Sequence, residues 1–246
     1  MNFLITGGSR GIGEAIALEA AGQGHGVAFT YLTNAAQAAD VERRAVAAGA
    51  TGRVKAYQMD VKDSASVERA GDAILDDFDS IEVVVSNAGI NRPNLLVQMG
   101  DEEWDEVIRT NLTGAFYVAR YFIPSMLSRR FGRFILISSL GYRGITGQAN
   151  YCASKAGLHG LAWAIAKEYG RRGITANVVV PGVFDTDMTR EGLSTTNKDF
   201  WIQYCPAGRM GNLSELSQLV TFLASDAAGF INGQEIPING GLDWAP

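Results

Sequence analysis

Histidine, cysteine and proline are scarce in this chain of 246 residues, which has two, two and six of them. His25 and His159 are too few for a catalytic centre or zinc site built on imidazole, so the sequence predicts no metal. Cys152 and Cys205 form no Cys-x-x-Cys pair, and we expect two reduced thiols, with Cys152 a small residue inside a helix. These absences exclude a disulfide framework and a zinc-binding fold.

Long apolar runs and a large excess of one charge are also missing. No uninterrupted apolar segment approaches the roughly 20 residues that a membrane-spanning helix needs. The net charge of −5 is spread along the chain, with no basic stripe that would indicate nucleic-acid binding. A strand is predicted almost from the first residue, which leaves no room for a secretory signal, so we expect a cytoplasmic protein.

Predicted strands and helices alternate along the whole chain. The strands are predicted at 3–5, 26–31, 54–59, 81–85, 133–138, 175–180 and 235–238, and the helices at 14–23, 35–50, 64–78, 101–129, 151–170 and 213–225. This pattern predicts an α/β fold, a single-domain Rossmann-type doubly wound parallel sheet of about seven strands flanked by helices. Pro237 predicts that the last strand lies at the sheet edge. The irregular segment 183–210, with Phe200 and Trp201, is predicted to be a substrate lid.

A glycine-rich turn follows the first predicted strand. Gly7, Gly11 and Gly13 have the spacing Gly-x-x-x-Gly-x-Gly, and a helical pattern begins at Glu14. Glycines let the backbone approach a pyrophosphate closely, and a helix N-terminus supplies free N–H donors. An ordinary βα turn is the alternative, but the strand before and the helix after favour dinucleotide binding.

The second predicted strand ends at Tyr31 without the acidic residue that marks NAD by bonding the ribose 2′-hydroxyl. The next acid in the chain is Asp40, and a cation, Arg10, lies inside the glycine turn. A missing acid and a present cation favour the 2′-phosphate of NADP(H), whereas the alternative for Arg10 is a solvated loop cation.

Tyr151 and Lys155 are four residues apart in a predicted helix, so their side chains share one face. We expect the ammonium to lower the pKa of the phenol and to prepare it for proton transfer at a substrate oxygen. Ser138 ends a predicted strand, where open α/β sheets bind their ligands. Asn111 lies inside a predicted helix, where asparagine competes for backbone hydrogen bonds and so has either a surface position or a function. Alone, the Tyr/Lys spacing also fits an ordinary amphipathic helix.

Together these motifs resemble those of the short-chain dehydrogenase/reductases over essentially the whole chain. The matching motifs are Thr6-Gly7-x-x-x-Gly11-x-Gly13, Asn87-Ala88-Gly89, Asn111, Ser138, Tyr151-x-x-x-Lys155 and Pro181-Gly182. The closest resemblance is to the β-ketoacyl-[acyl-carrier-protein] reductases, and acetoacetyl-CoA reductases share many of the same segments. The aromatic pair Phe200-Trp201 departs from that pattern, which leaves the acyl substrate open.

The resemblance implies NADPH-dependent reduction of a β-ketoacyl thioester to the β-hydroxyacyl thioester, in fatty-acid or polyketide-type synthesis. Tyr151 would give the proton, Ser138 would hydrogen-bond the keto oxygen, and Asn111 would hold a water. Lys155 would lower the pKa of Tyr151 and bind the nicotinamide ribose. Contacts with NADP(H) are implied for Gly7, Ser9, Arg10, Gly11, Ile12, Gly13, Asp60, Val61, Asn87, Ala88, Gly89, Tyr151, Lys155, Pro181, Gly182, Val183 and Thr186.

Two serines are candidates for the catalytic position. Ser138 has the Ser-x-x-Gly spacing of the family to Gly141, so it is predicted as the catalytic serine, and Ser139 is assigned a structural role. Two other function classes stay open. A reductase or dehydrogenase of a free ketone or alcohol would use the same residues. A non-enzymatic NADP-binding protein would be expected to lose one of the catalytic side chains.

The resemblance also implies partners. Family members are typically tetramers that pair the long helices around Asn111 and Tyr151, and several faces of those helices are apolar, so we predict a homotetramer. An acyl carrier protein is acidic, and we expect it to dock near the mouth of the site, at Arg129 and Arg172. The alternative is that these cations only stabilise helix C-termini.

Overall fold

The structure, a computed structural model, describes residues 1–186, 189 and 195–242, the side chains of 195–198 excepted, and these residues form a seven-stranded sheet. Its strands are β1 (Asn2–Ile5), β2 (Gly26–Tyr31), β3 (Val54–Gln58), β4 (Val83–Ser86), β5 (Gly132–Ile137), β6 (Ile174–Pro181) and β7 (Glu235–Ile238). All neighbouring strands are parallel, in the order β3-β2-β1-β4-β5-β6-β7. The predicted doubly wound parallel sheet is therefore confirmed, and Pro237 lies on an edge strand as expected.

Helices cover both faces of this sheet. They are α1 (Gly11–Gly22), α2 (Ala35–Ala47), α3 (Ser64–Phe78), α4 (Asp101–Ile108), α5 (Gly114–Arg129), α6 (Ala149–Tyr169), α7 (Thr195–Tyr204) and α8 (Leu213–Ala224). Within the described part of the chain, none of them combines the length and the apolar character that crossing a bilayer would require. The helix α7 lies in the predicted lid, of which residues 187–188 and 190–194 fall outside the described residues.

Two apolar clusters fill the space between the sheet and its helices. Side chains that include Leu4, Val84 and Phe134 point to one face and pack against α3, α5 and α6. Their immediate neighbours along the strands point to the other face and pack against α1, α2 and α8. The five inner strands are buried on both faces, so their sequences are nearly continuous apolar runs rather than alternating ones, whereas the edge strands β3 and β7 are partly exposed.

The long helix predicted at 101–129 is interrupted. Between α4 and α5 the chain forms one π-helical turn, Arg109–Thr113, which contains Asn111. A π-turn contains one residue more than an α-helical turn, and π-turns are frequent at functional sites. It makes Asn111 a buried residue that faces the carboxyl end of the sheet.

We expect Gly13→Ala to destabilise the fold, because Gly13 packs directly against the glycine turn. A Cβ at this position would overlap the Gly7 carbonyl oxygen and lie 2.6 Å from Asn87 Nδ2. A loss of about 2 kcal/mol would lower the melting temperature by roughly 4–8 °C in a domain of this size.

The matched control is Gly22→Ala at the other end of α1, where no atom lies within 4 Å of the added Cβ. Alanine is the better helix former by about 1 kcal/mol, so this variant should melt at the same or a higher temperature. Equal destabilisation by the two substitutions in thermal unfolding would contradict the packing argument.

Candidate active site

A cleft opens at the carboxyl ends of the strands, between β1 and β4, where the strand order reverses. This is the position at which open α/β sheets bind ligands. The predicted cofactor-binding residues that line the cleft are Gly7, Ser9, Arg10, Gly11, Ile12, Asp60, Val61, Asn87, Ala88, Gly89, Tyr151, Lys155 and Thr186. Most of the predicted set therefore comes together, although its parts are up to 179 residues apart, from Gly7 to Thr186.

The other four predicted cofactor residues do not line this cleft, and their contacts with a cofactor stay predictions. Gly13 packs beneath the turn against Gly7. Pro181 ends β6, and Gly182 donates its N–H to the Ile238 carbonyl at 3.0 Å, so both lie against the neighbouring edge strand. Val183 lines a separate cavity beside α7.

The ends of β1 and β4 are joined by Thr6 and Asn87. The Thr6 hydroxyl accepts hydrogen bonds from the N–H groups of Asn87 and Ala88, at 3.0 and 2.9 Å. The Asn87 side chain donates to the carbonyls of Thr6 and Gly7, at 2.9 and 3.1 Å. These bonds fix the floor of the cleft, and Thr6 is a residue to which the sequence analysis gave no role.

Among the described residues, those that directly follow β2 and line the cleft include no carboxylate. Tyr31, Leu32, Thr33 and Asn34 line it, and the exposed cation Arg10 stands opposite at the start of α1. Asn34 is occupied as the N-cap of α2, since its side chain accepts the Gln37 N–H at 3.0 Å. The arrangement suits a negatively charged group next to Arg10.

Lys155 is buried behind Tyr151. Its ammonium donates to the Ile137 carbonyl at 2.8 Å and lies 5.6 Å from the centre of the Tyr151 ring. Burial disfavours the charged form and lowers the pKa of Lys155 to about 8. Burial also raises the pKa of Tyr151 above its ordinary value, which the hydrogen bond from Ser139 only partly opposes. Desolvation is the largest cause of the raised pKa of Tyr151, and Lys155 is not among the causes, so the predicted lowering of this pKa by Lys155 stays a prediction.

The two neighbouring serines make different contacts. Ser138 lines the cleft beside Tyr151 and Lys155, and its buried hydroxyl lies 3.1 Å from both the Lys155 carbonyl and His159 Nε2. The side chain of Ser139 makes a hydrogen bond to Tyr151 and accepts the Gly141 N–H at 3.1 Å. The catalytic role of Ser138 stays a prediction.

Asn111 joins three segments around the cleft. Its carbonyl oxygen accepts the Ile90 N–H at 2.8 Å, and its amide donates to the Ile90 carbonyl and the Ser154 hydroxyl, both at 3.0 Å. The π-turn is thereby tied to the chain after β4 and to α6. That Asn111 has a function rather than a surface position agrees with these contacts, whereas the water it was predicted to hold stays a prediction.

Asn150 is a positioning residue to which the sequence analysis gave no role. The side chain is fully buried and donates to the carbonyls of Arg92 and Glu103, each at 3.0 Å. Its oxygen accepts the Tyr151 N–H at 2.7 Å. Asn150 therefore fixes the first turn of α6 and with it the direction of the Tyr151 side chain.

The two predicted docking cations lie far from the mouth of the cleft in the same chain. Helices α5 and α6 run away from the carboxyl edge of the sheet, and 21 residues of α-helix at 1.5 Å per residue place Arg172 about 30 Å from Tyr151. Arg129 ends α5 and pairs with Asp79 at 3.0 Å. Docking of a carrier protein at Arg129 and Arg172 stays a prediction.

The remaining sequence candidates have local contacts. Cys152 accepts the Ile145 N–H at 3.2 Å, and Cys205 bonds the carbonyl oxygens of Asn239 and Gly240; both are free thiols. Phe200 and Trp201 pack edge to face on α7, 6.1 Å between ring centres. Over the described residues there is no group of three or more His, Cys, Asp or Glu side chains that could hold a metal.

Comparison with known proteins places these features in one family. A profile of the short-chain dehydrogenase/reductase family, described as Enoyl-(Acyl carrier protein) reductase, matches residues 7–243. The 3-oxoacyl-[acyl-carrier-protein] reductase FabG of Escherichia coli is 43% identical over 249 residues, 98% of this chain and 99% of the relative. FabG of Haemophilus influenzae is 43% identical over 97% of this chain and 96% of the relative. MabA of Mycobacterium tuberculosis, a reductase of the same name, is 43% identical over 98% and 92%.

Proposed function

This chain belongs to the short-chain dehydrogenase/reductase family, and on that premise we propose that it reduces a 3-oxoacyl thioester, carried by acyl carrier protein, with NADPH. One observation carries the proposal. Ser138, Tyr151 and Lys155 line one end of a cleft whose other end is the glycine turn. The relatives of similar length are named 3-oxoacyl-[acyl-carrier-protein] reductases, which supports the same reaction in fatty-acid synthesis.

The residues of the cleft fit a dinucleotide. Gly7 and Gly11 have positive φ values of 65° and 58°, a conformation that favours glycine, and a Cβ on Gly7 would lie 3.1 Å from Ala88. The backbone thus leaves a shallow cradle at the N-terminus of α1, whose free N–H groups suit a pyrophosphate. When bound, the nicotinamide would supply the hydride that reduces the ketone.

Tyr151 is proposed as the proton donor to the oxygen of the reduced ketone. Its raised pKa keeps the hydroxyl protonated at neutral pH, which is the form that reduction requires. Ser138, which lines the cleft, is proposed to hydrogen-bond the same oxygen as negative charge develops there. The ammonium of Lys155 has three donors, one of which is bonded to Ile137, and the others can meet ribose hydroxyls of the cofactor. We propose the segment 183–210 as a lid over this site.

A panel of three substrates tests the function. NADPH oxidation should be fastest with a 3-oxoacyl-[acyl-carrier-protein], slower with the matching CoA thioester, and slowest with a free ketone. Product analysis should show the 3-hydroxyacyl thioester. Preference for the free ketone would support the alternative reductase, and no oxidation with any of the three would contradict the proposal.

The two neighbouring serines give a paired prediction. We expect Ser138→Ala to lower kcat by about 10²-fold, because it removes a donor to the reacting oxygen. Ser139→Ala should lower kcat by about tenfold at most, since its hydroxyl bonds Tyr151 and Gly141 and acts only through position. Steady-state kinetics with the best substrate of the panel measure both, and a larger loss in Ser139→Ala would make Ser139 the catalytic serine.

The cofactor specificity is proposed to depend on Arg10. Its guanidinium lies at the end of the cleft where the 2′-phosphate of NADPH would bind. Among the described residues, those at the end of β2 that line the cleft include no carboxylate. We expect Arg10→Ala to raise the Kd for NADPH by about 10-fold, from the loss of a charge-assisted hydrogen bond, with little change for NADH. Fluorescence titration measures both constants, and equal weakening of the two would show that Arg10 does not select the phosphate.

We further propose a homotetramer with the carrier protein docked between subunits. Phe116 on α5 and Trp163 on α6 are large aromatic side chains that are 42% and 48% exposed, as expected of helices that pack against a second chain. In such an assembly Arg129 and Arg172 would serve the site of a neighbouring chain rather than their own.

A further inference from the structure

A buried histidine contacts the hydroxyl of Ser138 from the side away from the cleft. His159 is one helical turn beyond Lys155 on α6 and is 4% exposed. Its Nε2 atom lies 3.1 Å from the Ser138 hydroxyl, and its Nδ1 atom lies 3.2 Å from Glu235 Oε2 on the edge strand β7. A chain of polar contacts therefore runs from the edge of the sheet to the side chain that is proposed to bond the ketone oxygen.

The ring is held in place by the turn that follows β5. Tyr142 stacks on it with 4.3 Å between ring centres and an angle of 22° between the planes, and the Tyr142 hydroxyl donates to Glu235. Arg143 lies 3.6 Å from the same carboxylate. Among the described residues, the ionisable groups that face the ring besides Ser138 are therefore Glu235 on β7, Tyr142 and Arg143 on the turn, and Lys155 on its own helix.

The hydrogen bonds of the ring depend on its charge. The carboxylate of Glu235 can only accept, so Nδ1 of His159 carries a proton in both charge states. In the neutral ring Nε2 has no proton and can only accept a hydrogen bond from Ser138. In the imidazolium Nε2 carries the second proton and donates to the Ser138 oxygen instead. The charge of His159 therefore decides whether it takes the hydroxyl proton of Ser138 or leaves it free.

The single hydroxyl proton of Ser138 has competing acceptors. The Lys155 carbonyl and His159 Nε2, each 3.1 Å away, lie inside the protein, and the ketone oxygen would lie in the cleft that Ser138 lines. With a neutral ring, donation to the ketone leaves Nε2 buried without a partner, which is unfavourable. With an imidazolium only the Lys155 carbonyl still competes. A hydroxyl that accepts from a cation is also the stronger donor, because successive hydrogen bonds polarise one another.

We propose that His159, held by Glu235, is a positioning residue that directs the Ser138 hydroxyl towards the ketone oxygen when its ring is protonated and away from it when the ring is neutral. The inference rests on the proposed reductase function, with Ser138 as the donor to the ketone. It assigns a role in turnover to a side chain that touches neither substrate nor cofactor.

The direction of the resulting pH dependence follows from the surroundings of the ring. Burial lowers the pKa of His159, and Glu235 opposes this effect only in part, so the ring loses its proton below the ordinary value of about 6.5. The active arrangement is the protonated one, and the rate of reduction should therefore fall as the pH rises through the slightly acidic range. Tyr151 does not contribute to this step, because its raised pKa keeps it protonated there.

Single-turnover hydride transfer to a 3-oxoacyl thioester, measured between about pH 5 and pH 8, tests the role of the ring. We expect the wild-type rate to fall about tenfold across this range, the effect of one buried acceptor left unpaired. In His159→Gln the amide N–H reaches the place of Nε2 and donates at every pH, so the rate should stay within about threefold of the acidic wild-type value. The matched control His159→Leu has a similar size and no polar atom, and it should also lack the step.

The role of the carboxylate is tested by Glu235→Gln. This substitution removes the charge that stabilises the imidazolium, so the step in rate should move to lower pH. The chain has only two histidines, so NMR titration of their ring signals follows His159 directly, and His159→Gln identifies its signals. We expect the NMR midpoint to coincide with the step in rate and to move with it in Glu235→Gln. This arm also decides the case in which His159→Gln does not fold.

The outcomes distinguish the two proposals. A wild-type chain that oxidises no NADPH with any thioester at any pH refutes the function itself. An active wild type with a flat profile refutes the positioning role, and so does a step that persists in His159→Gln. A step that lies away from the NMR midpoint of His159, or that Glu235→Gln leaves in place, refutes it as well.

Discussion

The buried ammonium of Lys155 ties the end of β5 to α6, and the geometry of the cleft depends on that contact. A desolvated cation is costly unless a partner compensates it, and here the Ile137 carbonyl does so at 2.8 Å. Helix α6 can therefore approach the strand in only one register, with Tyr151 one turn before Lys155 and His159 one turn after it. The same burial that lowers the pKa of Lys155 also raises that of Tyr151, so reduction starts from a protonated phenol.

Polar side chains, rather than the apolar clusters, complete the site. The clusters hold the helices against the sheet, but the loops at the carboxyl ends are joined by Thr6 with Asn87 and by Asn111 with Ile90. Asn150 likewise joins the start of α6 to the loop after β4, through a hydrogen bond to the Arg92 carbonyl. Buried polar groups that are fully paired specify a single arrangement, because any other arrangement leaves donors or acceptors without partners. The π-turn is the clearest case, because the Asn111 side chain within it hydrogen-bonds both the N–H and the carbonyl of Ile90.

The sequence predicted the sheet and its covering helices well, because apolar periodicity and turn residues are signals that depend on neighbouring positions in the chain. The parallel sheet, the edge position of Pro237 and most of the cleft lining follow from such patterns. What could not be predicted depends on tertiary contacts. The π-turn interrupts the helix predicted at 101–129 and cannot be recognised from a helical pattern. The positioning contacts of Thr6 and Asn150 could not be predicted either, because their partners are up to 82 and 58 positions away in the chain.

The central claim is that Tyr151 gives the proton that accompanies hydride transfer, and single-turnover kinetics of Tyr151→Phe test it most directly. The substitution removes one hydroxyl and leaves the ring in its place on α6. We predict that NADPH still binds with wild-type affinity while the rate of its oxidation by a 3-oxoacyl thioester falls by about 10²-fold or more. A variant that binds NADPH and oxidises it at the wild-type rate would contradict the mechanism.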